Sequence, residues 1–336
     1  MACKDTQPIL VVGAGAWGTA LAIHLASNHN QVHLWGHDAN AMHQMERDRC
    51  NASCLPGVPF PPNLMVFDDL AIAAQAVQDI LLVVPSFAFV SVLQQLNTLC
   101  LSSVRIAWGT KGLDPKTGGF LHEAISRVMG KTTPAAIISG PSFAREVGLK
   151  VPTAVCIAGN NDAFVDDMTQ RFHAPHFRVY PNADMVGVQL CGVMKNILAI
   201  ASGLTVGLSL GANTRAALLT RGIAEMSRLM QACGGQQSTL MGLSGMGDLI
   251  LTCMDDQSRN RRFGTALGEG VYIEDAKAQV GGEVEGLQNT RQLYEISVSH
   301  GIDLPITRQV YRVLYEGLSP QQGVAELMQR DRASSE

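Results

Sequence analysis

PILVVGAGAWGTALAIHLASN, residues 8–28, decides the fold. Its apolar opening reads as a strand buried on both faces, the pattern of a parallel sheet covered by helices. The run enters Gly13, Gly15 and Gly18, spaced G-x-G-x-x-G, and helical periodicity follows at once. The first glycine permits a tight turn, the second lets the backbone approach a pyrophosphate, and the third lets helix and strand pack closely. The N-terminus of the following helix then attracts the negative charge. Strand, turn and helix in this order predict a Rossmann-type unit that binds a dinucleotide.

Outward from this motif, QVHLWGHD, DILLVVPS, VRIAWGTKG, AAIISGPS, TAVCIAG and FRVY read as further strands, with helical patterns between them. They predict an α/β doubly wound domain with a parallel sheet. CLPGVPFPPN, residues 54–63, is a Pro-rich loop. Near Pro181 the strands give out. Residues 183 to 233 read as helix interrupted by glycines, and GLQNTRQLYEISVSHG is an amphipathic helix stopped by Gly301. Ser319 caps the last helix and Pro320 opens it. The expected organisation is a dinucleotide-binding domain over 1–182, an all-α substrate domain over 183–330 and a frayed tail over 331–336.

A chain of 336 residues is too long for one ordinary core. Its hydrophobic content of 46% and charged content of 16% place it among globular proteins rather than disordered ones. A net charge of −4 supplies no bulk basic field for nucleic acid. Eight cysteines are scattered without a CxxC pair, so no metal site is expected. They read as small buried hydrophobes in a reducing cytoplasm. MACKDTQPILVV is no signal peptide, since its apolar run leads straight into the glycine motif. NILAIASGLTVGLSLGAN, residues 196–213, lacks charge but reads as a buried helix rather than a membrane span.

Several groups carry chemistry. Lys195 is the sole charge between Leu190 and Leu210, beside Asn196. At helical spacing its neighbours Cys191, Gly192 and Ala199 are small, which leaves room beside the ammonium. LWGHD ends the second strand. Asp38 stands where an acid selects NAD, yet His37 precedes it and suits the 2′-phosphate of NADP; both also suit a plain turn. Lys111 and the SGPSFAREV segment, with Gly140, Ser142 and Ala144, follow strands whose ends face a ligand crevice. In DDQSRNRRFG, Arg259 suits bidentate phosphate binding, with Ser258 and Asn260 as further donors. SGMGDL supplies Asp248, and VEG supplies Glu285.

Together GAGAWGTALA, LWGHD, TKG, SGPSFAREV, VMKNILAIASG, SGMGDL, SRNRRFG and VEG span residues 13 to 286. In that combination the chain closely resembles the bacterial-type NAD(P)-dependent glycerol-3-phosphate dehydrogenases. The resemblance implies interconversion of dihydroxyacetone phosphate and sn-glycerol 3-phosphate with NADPH or NADH, supplying sn-glycerol 3-phosphate for phospholipid synthesis, and a cytoplasmic homodimer. Carried over by motif, Lys195 is the catalytic proton donor or acceptor. Lys111, Gly140, Ser142, Asn196, Asp248, Ser258, Arg259 and Asn260 contact substrate. Gly13, Gly15, Ala16, Trp17, Gly18, His37, Lys111, Ala144, Arg259 and Glu285 contact the dinucleotide. The chain departs from the family at Glu283 and Val284, where two apolar residues are usual. Two rivals remain at this stage: a β-hydroxyacid dehydrogenase, which would prefer a free acid to a phosphate ester, and a sensor that binds NAD(P)H without turnover.

Overall fold

The computed structural model describes residues 7–99 and 103–329. The tail expected to fray, Cys3 and Cys100 lie outside the described residues. The chain divides into two compact units, Met1–Met185 and Val186–Glu336.

The first unit holds one sheet of eight strands: β1 (Ile9–Val12), β2 (Val32–Trp35), β3 (Leu64–Phe67), β4 (Asp79–Leu82), β5 (Arg105–Trp108), β6 (Ala135–Ser139), β7 (Thr153–Gly159) and β8 (Phe177–Asn182). Their order is β3-β2-β1-β4-β5-β6-β7-β8. The connections carry α1 (Ala16–Ser27), α2 (Ala39–Asp48), α3 (Leu70–Ala73), α4 (Ser86–Thr98), α5 (Leu121–Met129), α6 (Ala144–Gly148) and α7 (Asp162–Phe172). Every residue of β1 is fully buried, as its unbroken apolar run predicts for a central strand. Leu21 and Leu25 of α1 and Phe164 and Phe172 of α7 join the core. Full burial of each such side chain contributes about 1.5–3 kcal/mol.

Two features differ from the sequence expectation. The strand β3 is unannounced in the sequence. It forms the sheet's edge, and Met65 within it is exposed, so its run lacks the signature of a buried strand. The sheet is also not wholly parallel, because β6 and β7 pair antiparallel. The segment between them carries only the five-residue α6, which packs on α1. It does not run back along the sheet, so β7 re-enters at the edge that β6 left.

At the amino edge of the sheet a buried carboxylate is fully paired. Asp79 accepts from Arg105 Nε at 2.6 Å and Nη2 at 2.8 Å, and pairs with Arg171 at 3.0 Å. This end serves stability. The cysteine expectation holds for Cys156 but not for Cys54, which is exposed on the Pro-rich loop; Cys50 is half-buried.

The second unit is helical: α8 (Met185–Gly207), α9 (Ala212–Cys233), α10 (Gln237–Leu240), a π-helical turn (Leu243–Gly247), α11 (Asp248–Met254), α12 (Arg259–Gly268), α13 (Ile273–Val280), α14 (Glu285–His300), α15 (Pro305–Tyr315) and α16 (Pro320–Gln329). Gly301 ends α14 in the left-handed conformation, φ 64°, and Gln322 N donates to Ser319 Oγ ahead of α16. By length and composition α8 is able to cross a membrane, yet 89% of its most apolar window is buried inside the protein. Cys191 and Cys253 are buried here and Cys233 is half-buried.

Glycines set the crossing of α8 with α12. A methyl on Gly203 would lie 2.1 Å from Arg261 O, and one on Gly264 would lie 2.1 Å from Ile200 O. Only glycine permits this approach of backbones. At the start of α15, Leu304 offers no capping side chain. Glu225 of α9 takes that role, accepting from Ile306 N and from Thr307 N at 3.2 Å.

Candidate functional site

In the first unit β1, β4, β5 and β6 run parallel, so their carboxyl ends share one edge. The winding reverses between β1 and β4, where open α/β sheets take their ligands. The glycine turn follows β1 at this point. Gly13 has φ 120°, and a methyl on it would lie 2.5 Å from Val83 O. A methyl on Gly18 would lie 1.8 Å from Gly13 O, while one on Gly15 would meet nothing within 4 Å. The turn is thus closed inward by Gly13 and Gly18 and open outward at Gly15, which is the shape a pyrophosphate needs. Ala16 opens α1. Trp17 packs at Gly109, its buried Nε1 lacking a hydrogen-bond partner among the described residues.

The other expected residues of this unit cluster on the same edge. Thr110 donates to Val84 O at 2.7 Å, tying the ends of β5 and β4 together, and half-buried Lys111 comes next. Gly140, φ 149°, packs against Val155 Cα, and Ser142 Oγ donates back to Gly140 O at 2.9 Å. Ala144 opens α6. His37 and Asp38 follow β2, one and two residues past Gly36, and both are exposed. Asp38 caps α2, accepting from Ala41 N at 3.1 Å. That hydrogen bond gives the acid a structural use through Oδ1, and His37 beside it is exposed.

In the second unit Lys195 does not snorkel. Its side chain is 8% exposed, and Nζ donates to Asp248 Oδ1 at 2.6 Å and to Thr252 Oγ1 at 3.0 Å. Asp248 is 1% exposed and is the first residue of α11, straight after the π-helical turn. Thr252, one helical turn on, donates to Asp248 O at 2.6 Å. A buried ammonium is therefore matched by a buried carboxylate and a hydroxyl. Ser202 Oγ donates to Cys253 O at 2.8 Å, which pins α11 to α8. Burial pushes the Cys253 thiol up to about 12, so this neighbour stays an inert thiol.

Asn196, next to Lys195, donates through Nδ2 to Glu285 Oε2 at 3.4 Å, and Glu285 is the first residue of α14. Asn260 Oδ1 accepts from Gly286 N at 2.9 Å, joining α12 to α14. Ser258 caps α12 and is buried, whereas Arg259, the first residue of that helix, is exposed. Gly282 packs on it: a methyl there would lie 2.8 Å from Arg259 Nη1. Lys195, Asn196, Asp248, Ser258, Arg259, Asn260 and Glu285 thus all belong to one helical unit, borne by α8, α11, α12 and α14. Thr252 was not singled out in the sequence. Its signal was its place four residues after Asp248, on the same helix face.

Among the described residues no group of three His, Cys, Asp or Glu side chains is placed to hold a metal ion. The groups of the first unit suit a dinucleotide, and those of the second suit a phosphate ester and proton transfer.

Two family models match the chain. Residues 8–165 match NAD-dependent glycerol-3-phosphate dehydrogenase N-terminus, and residues 184–325 match the C-terminus of the same family. A glycerol-3-phosphate dehydrogenase [NAD(P)+] of Coxiella burnetii is 51% identical over 324 residues, covering 96% of this chain and 97% of the relative. One from Shewanella amazonensis is 47% identical over 332 residues, covering 98% of each. The crystal structure of the Coxiella burnetii enzyme superposes with a TM-score of 0.95 at 50% identity, covering 97% of this chain and 100% of that one.

Proposed function

The chain belongs to the NAD-dependent glycerol-3-phosphate dehydrogenases, and on that premise we propose how its residues carry the reaction. It interconverts dihydroxyacetone phosphate and sn-glycerol 3-phosphate with NAD(P)H. The observation that carries our assignment of roles is the buried set of Lys195, Asp248 and Thr252. NAD(P)H held on the glycine turn would supply the hydride that reduces the ketone carbon. The oxygen of that ketone becomes an alkoxide and needs a positive charge and a proton as it forms. Lys195 supplies both as an ammonium, and in the reverse direction it takes the proton from the alcohol. Asp248 holds the ammonium charged and aimed, and Thr252 fixes the pair's geometry.

Arg259, with Ser258 and the Asn260 amide, holds the phosphate of the substrate at the start of α12. The phosphate does not react, so its binding energy serves to orient the carbonyl. Lys111, Gly140, Ser142 and Asn196 add substrate contacts. The open side of the glycine turn, with Gly13, Gly15, Ala16, Trp17 and Gly18, takes the pyrophosphate. His37 takes the 2′-phosphate, so NADPH is preferred to NADH. Lys111, Ala144, Arg259 and Glu285 are assigned to the dinucleotide on the motif match alone. The product supplies glycerophospholipid synthesis in the cytoplasm, and the working form is a homodimer, which light scattering checks.

The test is oxidation of NADPH and NADH with dihydroxyacetone phosphate, beside dihydroxyacetone and a panel of oxo acids. We expect turnover that requires the phosphate and runs faster at low NADPH than at low NADH. Preference for an oxo acid would overturn the phosphate assignment.

A further inference from the structure

Asn51 lies on the loop after α2 and belongs in sequence to none of the motifs considered above. Its side chain is 1% exposed and makes four hydrogen bonds. Nδ2 donates to Ala14 O at 2.9 Å and to Thr19 Oγ1 at 2.8 Å. Oδ1 accepts from Ser53 Oγ and Cys54 N, each at 3.1 Å. Both donor and both acceptor positions of the amide are used. One end holds the loop, and the other grips the glycine turn at its second residue.

The peptide bond makes this grip consequential. A trans peptide is planar, so the carbonyl of Ala14 and the N–H of Gly15 point in opposite directions. Fixing Ala14 O toward Asn51 aims the Gly15 N–H away from the loop. Gly15 is exposed, and the space beside its Cα is open. An N–H on the open side of a helix N-terminus is the donor a diphosphate uses. Gly13 and Gly18 fix where the turn lies; Asn51 fixes which way this peptide faces.

We propose that Asn51 is a positioning residue for dinucleotide binding, acting through the Ala14–Gly15 peptide. The inference rests on the assignment of the glycine turn to the pyrophosphate. Asn51→Ala loses the grip. Asn51→Asp keeps size and acceptors but, when ionised, has no donor for Ala14 O and adds a negative charge near the turn. Thr19→Val removes the other acceptor of Nδ2 and leaves the Ala14 bond in place.

The experiment measures the NADPH dissociation constant by titration calorimetry, with a thermal melt of each variant and kcat at saturating cofactor. Asn51→Ala should weaken NADPH about tenfold, the worth of one hydrogen bond to a charged group. Asn51→Asp should bind more weakly still and tighten as pH falls through the carboxyl's range. Thr19→Val should lower the melting temperature with NADPH binding within about twofold of the parent, where a merely structural role predicts parallel losses. The KM for dihydroxyacetone phosphate should stay unchanged throughout. Unchanged NADPH affinity in folded Asn51→Ala would overturn the proposal, and so would failure of both Asn51 variants to fold, which would make the role structural only. Failure of the unmodified protein to bind NADPH would instead sink the assignment of the turn itself.

Discussion

Consider Lys195→Met and Asp248→Leu, singly and together. At 2.6 Å and an effective dielectric constant of about 20, the attraction between the two charges is about 6 kcal/mol. Taking both groups out of water costs several kcal/mol per ion, so the net worth of the pair to folding is near zero. Breaking it is another matter. Either single change leaves the remaining ion buried without its partner, at about 3–5 kcal/mol. The double change replaces the pair with apolar side chains, so its cost should fall within about 1 kcal/mol of neutral. The coupling between the two sites should therefore reach about 5 kcal/mol or more.

The fold supplies an assay that isolates the relevant unit. Trp17, Trp35 and Trp108 all lie in the first unit, whereas most of the second is helix. Denaturant curves followed by far-ultraviolet circular dichroism weight the second unit, and tryptophan fluorescence reports the first. The single variants should shift the helical transition and leave the fluorescence transition nearly in place. Turnover should follow a different pattern. All three variants should be inactive, including the stable double variant, if Lys195 has the proton-transfer role we propose as well as its place in the pair. Single-variant losses below about 1 kcal/mol, the range of exposed ion pairs, would refute the burial argument. Substantial turnover by Lys195→Met would refute its role as proton donor.

At saturating NADPH, which offsets any lost cofactor contact, Arg259→Ala should raise the KM for dihydroxyacetone phosphate by about 10²-fold, the worth of a charged bidentate contact, and leave the weak response to unphosphorylated dihydroxyacetone unchanged in steady-state assays. Equal losses with both would contradict a phosphate role. His37→Ala should raise the KM for NADPH several-fold more than that for NADH, and parallel shifts would argue against a 2′-phosphate contact. Two buried groups should make stability pH-dependent with opposite signs. Burial drives the His24 imidazole down to about 4 against an ordinary 6.5. The unfolded chain then binds more protons between those values, so stability present above pH 6.5 is lost as pH falls through 4, by about 3 kcal/mol. Burial raises the Glu225 carboxyl to about 7 from 4.5, so its contribution is present below 4.5 and is lost as pH rises through 7, by about 3 kcal/mol. Melting curves against pH should lose the acid arm in His24→Phe and the neutral-to-alkaline arm in Glu225→Gln.

What was legible in the sequence was what local constraints write there. The strand β1 shows itself because a central strand needs an unbroken apolar run, and Gly13 and Gly18 because backbone lies where their side chains would be. The edge strand β3 has one face in solvent and no such run. The reversal at β7 depends on where α6 packs, and five residues do not announce that. Lys195 stands out as a charge in an apolar stretch, and SGMGDL offers Asp248 as a carboxylate to compensate it, but local spacing does not pair the two. Asp248 is 53 residues away, and only the packing of α11 on α8 brings it near. Asp38 reads as a ribose-binding acid by spacing alone, yet its hydrogen bond to Ala41 N gives it a capping role. Asn51 carries no pattern at all, since its significance comes from four partners reached through tertiary structure.

The glycines of the second unit explain how Lys195 and the start of the helix that bears Arg259 keep a fixed separation. Where side chains separate two helices, rotamer changes and repacking allow small shifts. Here the contact at Gly203, Gly207 and Gly264 is backbone on backbone: a methyl on Gly207 would lie 2.1 Å from Thr265 O. The start of α14 also sits close, since a methyl on Gly286 would lie 3.0 Å from the backbone oxygen of Asn196 and 2.7 Å from Asn260 Oδ1. Three helices thus meet with little that is soft between them. The run from Lys195 to Gly207 is one continuous helix, and Ser258 caps the helix that crosses it. The spacing of the ammonium from the start of α12 is therefore set by covalent helix geometry and backbone contact. The roles we propose for Lys195 and Arg259 on one small substrate would need that fixity, because a misplacement of about 1 Å can cost about 10²-fold in rate.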